Sequence, residues 1–288
     1  MSIQVRNLSY IYNAGMPDEQ KALDNVSFEV YDGQIAAVIG HTGSGKSTLV
    51  QHLNGLLKPT EGTIIVGGTD ITESGIAMRE IRQRVGLVFQ YPEYQLFEET
   101  VSADVAFGPK NLGLSESEIK ERVREALELV GLDVDEIGER SPFELSGGQK
   151  RRVAIAGIIA MRPQVLILDE PTAGLDPGAH REIIRMIQKI HQREENIVIF
   201  VSHNMDDVAA LSDKVLVMDR GQLMMSGTPA EIFRQRDRLG DAGLDIPSAA
   251  RLMLQLRKAG CDVPVDALTR DDAADELAEY LQGKSRKC

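Results

Sequence analysis

Short, wholly apolar runs punctuate this chain, and the longer stretches between them repeat apolar residues every three or four positions. Ile35-Ala36-Ala37-Val38-Ile39, Val85-Gly86-Leu87-Val88-Phe89, Val165-Leu166-Ile167-Leu168 and the run from Ile197 to Val201 have no polar face. Runs of this kind suit strands buried on both sides, as in a parallel sheet. Ile3 to Tyr12, Leu23 to Val30 and Thr63 to Val66 also read as strands. Lys214 to Met218 and Leu223 to Met225 read as two more, around the turn Asp219-Arg220-Gly221. Thr48 to Leu57 permits a helix ending at Lys58-Pro59. Ser115-Glu116-Ser117-Glu118 is a capping box, after which Ile119, Val123, Leu127 and Val130 recur at helical spacing until Gly131. Asp176 and Pro177 form an N-cap and N1 pair for a helix with Ile183, Ile184, Ile187 and Ile190 on its apolar face. Arg234 to Asp241 is dense in charge and reads as a linker. Helices are expected over 247–260, with Leu252 and Leu256 on one face, and over 271–281.

The strand–helix alternation breaks at about 92–162, which reads as a helical subdomain inserted into an α/β domain. The expected division is a cassette over 1–233 and a helical extension over 234–288.

Candidate chemistry clusters at the ends of the apolar runs. Gly40-His41-Thr42-Gly43-Ser44-Gly45-Lys46-Ser47, followed by Thr48, is a Gly-x-x-x-x-Gly-Lys-Ser phosphate-binding loop between a strand and a helix. Its glycines let backbone N–H groups close around a triphosphate, and the helix N-terminus favours anions. Lys46 is placed to reach β- and γ-phosphates, and the Ser47 hydroxyl to ligate Mg²⁺. Gln90 ends its strand, where it is either an exposed loop amide or a ligand-side residue of an open α/β sheet. Ser146-Gly147-Gly148-Gln149 precedes a helical run and reads either as an ordinary N-cap turn or as a second phosphate-binding helix end. Asp169 and Glu170 close a buried strand. There Asp169 can hold Mg²⁺ through water and Glu170 can deprotonate an attacking water. His203 follows another strand on the same side. Tyr12 reads equally as a half-buried strand residue and as a base-stacking aromatic.

Composition narrows the function class. The net charge of −12 across 288 residues argues against a nucleic-acid surface. The two cysteines, Cys261 and Cys288, have no framework spacing and suit a reducing compartment. No window approaches the ~18 apolar residues of a membrane span. The opening residues lack a signal-peptide core, so no leader is expected.

A glutamine after a strand, Leu145-Ser146-Gly147-Gly148-Gln149, the Asp169-Glu170 strand end, Ala173-Gly174-Leu175-Asp176 and a late histidine follow the phosphate loop in this order. Together they resemble an ABC-type ATPase over roughly residues 1–233. Phe89-Gln90-Tyr91-Pro92-Glu93-Tyr94-Gln95-Leu96-Phe97, Asp104 to Gly113, Lys150 to Gly157 and the tail segments 246–252 and 266–269 are similar to energy-coupling factor (ECF) transporter ATPases, and in detail to the second of their paired ATPases. The resemblance implies a mostly parallel core sheet with an N-terminal antiparallel β-subdomain, and ATP hydrolysis coupled to uptake of vitamins or transition-metal ions. It implies Tyr12 as the adenine-stacking aromatic, Glu170 as catalytic base and His203 as γ-phosphate contact. Gln90, Ser47 and Asp169 would attend Mg²⁺. Ser146 to Gln149 would cover ATP on a partner subunit, with Asp176 at the same interface. The implied partners are a second ECF-type ATPase, a transmembrane scaffold and small substrate-binding membrane subunits, with no nucleic acid. The implied location is the cytoplasmic face of the membrane. The same core motifs would serve another ABC importer or exporter. A soluble ABC ATPase acting on nucleic acid or ribosomes would tend to carry tandem cassettes or a coiled-coil insert, and this chain has neither.

Overall fold

The apolar runs pair with one another. The computed structural model describes residues 2–194 and 196–285. Its strands are β1 (Ser2–Tyr12), β2 (Gln20–Tyr31), β3 (Ile35–Ile39), β4 (Glu61–Val66), β5 (Thr69–Asp70), β6 (Val85–Val88), β7 (Val165–Asp169), β8 (Ile197–Val201), β9 (Lys214–Asp219) and β10 (Gln222–Gly227). Its helices are α1 (Lys46–Leu53), α2 (Met78–Arg84), α3 (Val101–Asn111), α4 (Glu116–Leu129), α5 (Val134–Ile137), α6 (Gly147–Ile159), α7 (Pro177–Glu194), α8 (Met205–Leu211), α9 (Pro229–Phe233), α10 (Arg236–Asp241), α11 (Ser248–Lys258) and α12 (Arg270–Ser285).

Among the described residues there are two sheets. One has the order β10-β9-β3-β8-β7-β6 and is parallel except for β10, which turns back antiparallel on β9. The other, β2-β1-β4-β5, is antiparallel. The first sheet is covered on both faces, and the period-2 alternation of strands shows it. Ile35, Ala37 and Ile39 of β3 join Leu166, Leu168, Val198 and Phe200 in one core, which also takes the helices α3 to α7. Ala36 and Val38 join Val165, Ile167, Ile199 and Val201 in the other core, shared with α1 and the antiparallel sheet. A slip of one residue would exchange the two sets, and because both faces are apolar the hydrophobic pattern alone specifies register weakly here.

The segment between β6 and β7 holds α3 to α6. The capping box at Ser115 and Glu118 is formed, and Gly131 follows the end of α4 with φ 73°. Three expectations need correction. Helix α1 stops at Leu53 rather than Leu57, because Gly55 takes a left-handed φ of 68° and Asn54 turns its amide to the Val85 carbonyl. Arg234 to Asp241 is not a free linker. Most of it is α10, whose Leu239 is fully buried in the core beneath the parallel sheet, while Arg236 and Arg238 bond to the carbonyls of Val265 and Met224. In α11 the buried face is Ala249, Ala250 and Met253, with Leu256 half-buried, whereas Leu252 is exposed. The patterns differ because a single leucine carries the α10 contact among charged neighbours, and two alanines and a methionine carry that of α11. Cys288 and residues 286–287 of the basic tail lie outside the described residues.

Candidate functional site

Parallel strands bring their carboxyl ends to one edge of the sheet, and the residues expected to carry phosphate chemistry sit there. The loop 40–45 leaves β3, Gln90 follows β6, Asp169 ends β7 and His203 follows β8. Register sets the last two side by side: Asp169 pairs with Val201, and the Glu170 amide donates to the Val201 carbonyl at 3.1 Å.

Two glycines of the loop are required by contact. A Cβ on Gly40 would lie 2.3 Å from the Met218 carbonyl, and one on Gly45 would lie 2.7 Å from that of Ala22. Gly45 also caps α1 in the left-handed region, with φ 100°. Lys46 is buried and donates to the carbonyls of Gly40 (2.8 Å) and His41 (2.9 Å), curling the loop around its own ammonium. Burial pulls the Lys46 pKa down, against the pull of Glu170 and Asp169. The His41 ring is turned away to Asp219 (2.9 Å) and the Thr42 carbonyl (2.7 Å), so its share in any anion site is its backbone. Thr42 and Gly43 form the exposed crest, and Ser44 is wholly buried with its hydroxyl unpartnered.

Ser47, in the first turn of α1, lies close enough to the end of β7 for its hydroxyl to lower the Asp169 pKa. Gln90 Nε2 donates to Glu170 Oε2 at 2.9 Å, and His203 Nδ1 lies 3.6 Å from the same oxygen. Hydroxyl, amide and carboxylate oxygens at Ser47, Gln90 and Asp169 are the donor set a hard cation takes. Among the described residues no cluster of three or more His, Cys, Asp or Glu could hold a metal. A few protein oxygens completed by phosphate and water is the habit of Mg²⁺, so these residues fit it.

Burial pushes the Asp169 carboxyl above its ordinary value and Glu170 adds to that, against the Ser47 hydroxyl and Lys46. A raised folded-state pKa means the native fold binds this proton more tightly than the unfolded chain does. The cost of ionising Asp169 is therefore absent below its ordinary pKa and fully present above its raised one. Asp169→Asn is expected to raise the melting temperature of the nucleotide-free protein at pH 7, with the difference closing as pH falls toward the carboxylate range. The same variant should lose the further stabilisation that Mg²⁺ with ATP gives. Differential scanning calorimetry across pH checks both.

Tyr12 is half-buried, with its hydroxyl 3.3 Å from Thr48 Oγ1 and its ring edge-on to Tyr10 at 4.8 Å. It is thus fixed beside the first turn of α1. Ser146 to Gln149 do not join this cluster through their side chains. Ser146 and Gln149 form a reciprocal capping box at the N-terminus of α6, with Ser146 and Gly147 exposed. Gly148 abuts Ala179 at the start of α7, where Asp176 caps the helix through Gly178 (2.7 Å) and Ala179 (3.1 Å). Those backbone bonds hold the Asp176 carboxyl below its usual range.

Arg151 and Glu93 form a further ion pair beside these residues. Lys150-Arg151-Arg152 looks like solvated helix charge, yet the Arg151 side chain is only 1% exposed and grips both Glu93 carboxylate oxygens through its Nε and one terminal nitrogen. No local signal marks it, because Arg151 stands between Lys150 and Arg152 and its partners lie 58, 20 and 22 positions away.

The sequence profile of the ABC transporter family matches residues 23–173. The "Energy-coupling factor transporter ATP-binding protein EcfA2" of Caldanaerobacter subterraneus subsp. tengcongensis is 56% identical over 283 residues, covering 98% of this chain and 99% of that protein. Among solved structures, cbiO1 from Clostridium perfringens, described as part of the ABC transporter complex cbiONQ, is 36% identical with a TM-score of 0.75 over 90% of this chain and 96% of that one. The ATP-binding cassette MJ0796, solved as a dimer in a post-hydrolysis state with ADP and Pi, is 26% identical with a TM-score of 0.70 over 79% of this chain and 98% of that one.

Proposed function

The chain belongs to the ABC transporter family, among the ATP-binding subunits of energy-coupling factor transporters, and from that membership we propose how its residues divide the work. It is an ATP hydrolase that couples turnover to transport, with membrane partners and a paired ATPase. No described helix is long and apolar enough to cross a membrane.

In our reading, residues 40–48 wrap the triphosphate, Lys46 binds its β- and γ-phosphates, and Tyr12 stacks on adenine. Ser47, Gln90 and Asp169 hold Mg²⁺, which neutralises phosphate charge when bound. Glu170 takes the proton of the attacking water and His203 contacts the γ-phosphate. The observation carrying this is the convergence of Gln90 and His203 on one Glu170 oxygen, at 2.9 and 3.6 Å, beside a lysine-bearing phosphate loop. A base needs a partner to orient it and an anion sensor within reach, and three strand ends supply them.

Ser146, Gly147, Gly148 and Gln149 present an exposed helix N-terminus with no anion of their own chain to serve. We assign them to ATP held by the partner ATPase, with Asp176 at that interface, so that each chain supplies half of two sites. We take residues 1–233 as the cassette, 92–162 as its helical subdomain and 234–288 as an extension for subunit contact. The partners in this reading are a second, non-identical ECF-type ATPase, a transmembrane scaffold and small substrate-binding membrane subunits. The assembly sits on the cytoplasmic face and takes up vitamins or transition-metal ions.

Ser146→Arg tests the shared-site assignment. Loss of the cap costs about 1 kcal/mol locally, and the new side chain blocks the helix end. The isolated chain should bind ATP within about twofold of wild type, while turnover of the assembled transporter falls on the order of tenfold or more. Titration with a fluorescent nucleotide and a steady-state phosphate-release assay measure the two. Full turnover in the variant complex would remove residues 146–149 from any ATP site.

A further inference from the structure

Arg151 is a buried cation that touches two segments, one following Gln90 and the other following Glu170. Its Nε and one terminal nitrogen donate to Glu93 Oε2 (2.9 Å) and Oε1 (2.7 Å). The other terminal nitrogen donates to the carbonyls of Pro171 (3.1 Å) and Ala173 (2.7 Å). Its guanidinium lies 5.7 Å from the centroid of the Tyr91 ring, and that ring also lies against Gly174. Tyr91 and Glu93 are the first and third residues after Gln90. Pro171 and Ala173 are the first and third after Glu170. Arg151 itself stands one turn into α6, behind the exposed Ser146 and Gly147.

Glu170 needs such a fixture. It is a non-glycine residue with φ 49°, in the left-handed region that bulky side chains enter only where the surroundings hold them. Its turn is closed by the Ala173 amide donating to the Glu170 carbonyl at 3.2 Å. Two of the next three carbonyls are taken by Arg151. On the carboxylate side, Gln90 holds Glu170 Oε2. The contacts make a ring from Gln90 to Glu170, through the 171–173 turn to Arg151, and through Glu93 back to the Gln90 segment. Burial raises the Glu93 pKa, but the Arg151 hydrogen bonds outweigh it and hold the carboxyl below its ordinary range, so the pair is ionised at neutral pH. A lysine cannot reproduce this grip, because only a planar fork serves a carboxylate and two carbonyls at once.

We propose that Arg151 is a positioning residue for hydrolysis: it fixes the backbone turn that aims Glu170 and ties that turn to the Gln90 segment and to the first turn of α6. The inference rests on the reading of Glu170 as the base. It makes the alignment of that base depend on where α6 stands, and α6 carries the residues assigned to the partner's nucleotide. Hydrolysis at this chain's own phosphate loop is thereby conditioned on engagement of its other half-site.

The test uses Arg151→Lys, Glu93→Gln and the double variant in the assembled transporter. Steady-state ATP hydrolysis is measured against ATP concentration, alongside ATP binding by the isolated chain. We expect kcat to fall on the order of 10- to 100-fold, since about 1 Å of misplacement in a reacting group costs that much. The ATP concentration for half-maximal rate and the isolated chain's affinity should stay within about twofold of wild type, the split expected when only a transition-state interaction is lost. The double variant should be no worse than the poorer single, because both remove one unit. A kcat within about twofold of wild type in both single variants overturns the proposal. So does a loss of ATP binding in step with kcat in both, which would make the ring a scaffold for the fold alone. Glu93→Gln keeps Arg151 and its carbonyl bonds, so it remains informative where Arg151→Lys does not fold. Glu170→Gln run in parallel separates the two failures: if it abolishes turnover while the Arg151 and Glu93 variants do not, only this inference falls. If it too turns over, the base assignment falls first.

Discussion

Glu170→Gln is expected to keep ATP binding and to lose turnover by on the order of 10²- to 10⁴-fold, the contribution of a positioned general base. The substitution is nearly isosteric and changes little else. The bond from Gln90 Nε2, 2.9 Å in the native chain, finds a carbonyl oxygen in place of the carboxylate oxygen. The left-handed backbone at residue 170 suits glutamine no worse than glutamate. What goes is the ability to accept a proton, together with a negative charge close enough to Lys46 to raise its pKa. Removing that charge beside an incoming triphosphate leaves ATP affinity equal or tighter. The variant complex should therefore accumulate bound, unhydrolysed ATP. Rapid-filtration binding with single-turnover chemistry reads both properties from one sample. Turnover within about threefold of wild type would exclude Glu170 as the base.

Lys46→Ala is expected to act at the opposite step. The lysine ammonium is already desolvated and pre-aimed, held 2.8 and 2.9 Å from the Gly40 and His41 carbonyls within the loop it would serve. Hydrogen bonds to charged groups contribute about 1.5–3 kcal/mol each, so losing this one weakens ATP binding roughly 10- to 150-fold. The nucleotide-free fold should change little, because two opposing effects accompany the loss. Two carbonyls lose a donor, which destabilises. A buried cation whose pKa burial depresses is removed, which relieves the fold at every pH where that cation is charged. The ATP-dependent rise in melting temperature should be clearly smaller than in wild type at ATP concentrations that saturate the native chain. Isothermal titration calorimetry on the isolated chain gives the affinity directly. An unchanged affinity would contradict the placement of phosphate in the 40–47 loop.

The core sheet and the glycine-rich loop between β3 and α1 were legible in the sequence because each rests on a local rule. An apolar run with no polar face can only be a doubly buried strand or helix segment, and short runs ending in Asp169, Gln90 or Ser202-His203 are too brief for helices. Parallel pairing then collects those ends on one edge without further information. The glycines of 40–45 and the capping boxes at Ser115 and Ser146 are likewise written in short windows. What escaped depended on contacts distant along the chain. Leu239 is buried although its neighbours are charged, because one apolar residue per turn suffices when the helix lies flat on a core. The buried face of α11 is made of alanines and a methionine, which carry less pattern than Leu252, the residue left exposed. Helix α2, absent from the sequence expectations, buries only Ile81. Arg151 is the clearest case, since its four hydrogen bonds reach residues 58, 20 and 22 positions away and no window of sequence contains them.

The central claim is that this chain powers an energy-coupling factor assembly rather than a dedicated permease or a soluble machine. Purification of the tagged full-length chain from host membranes in mild detergent, with identification of the co-purifying proteins by mass spectrometry, tests it most directly. The account predicts recovery of a second, non-identical ATPase, one multi-span scaffold and several small membrane subunits in the same complex. Recovery of a single dedicated pair of permease subunits, or of ribosomes or DNA without membrane protein, would contradict it.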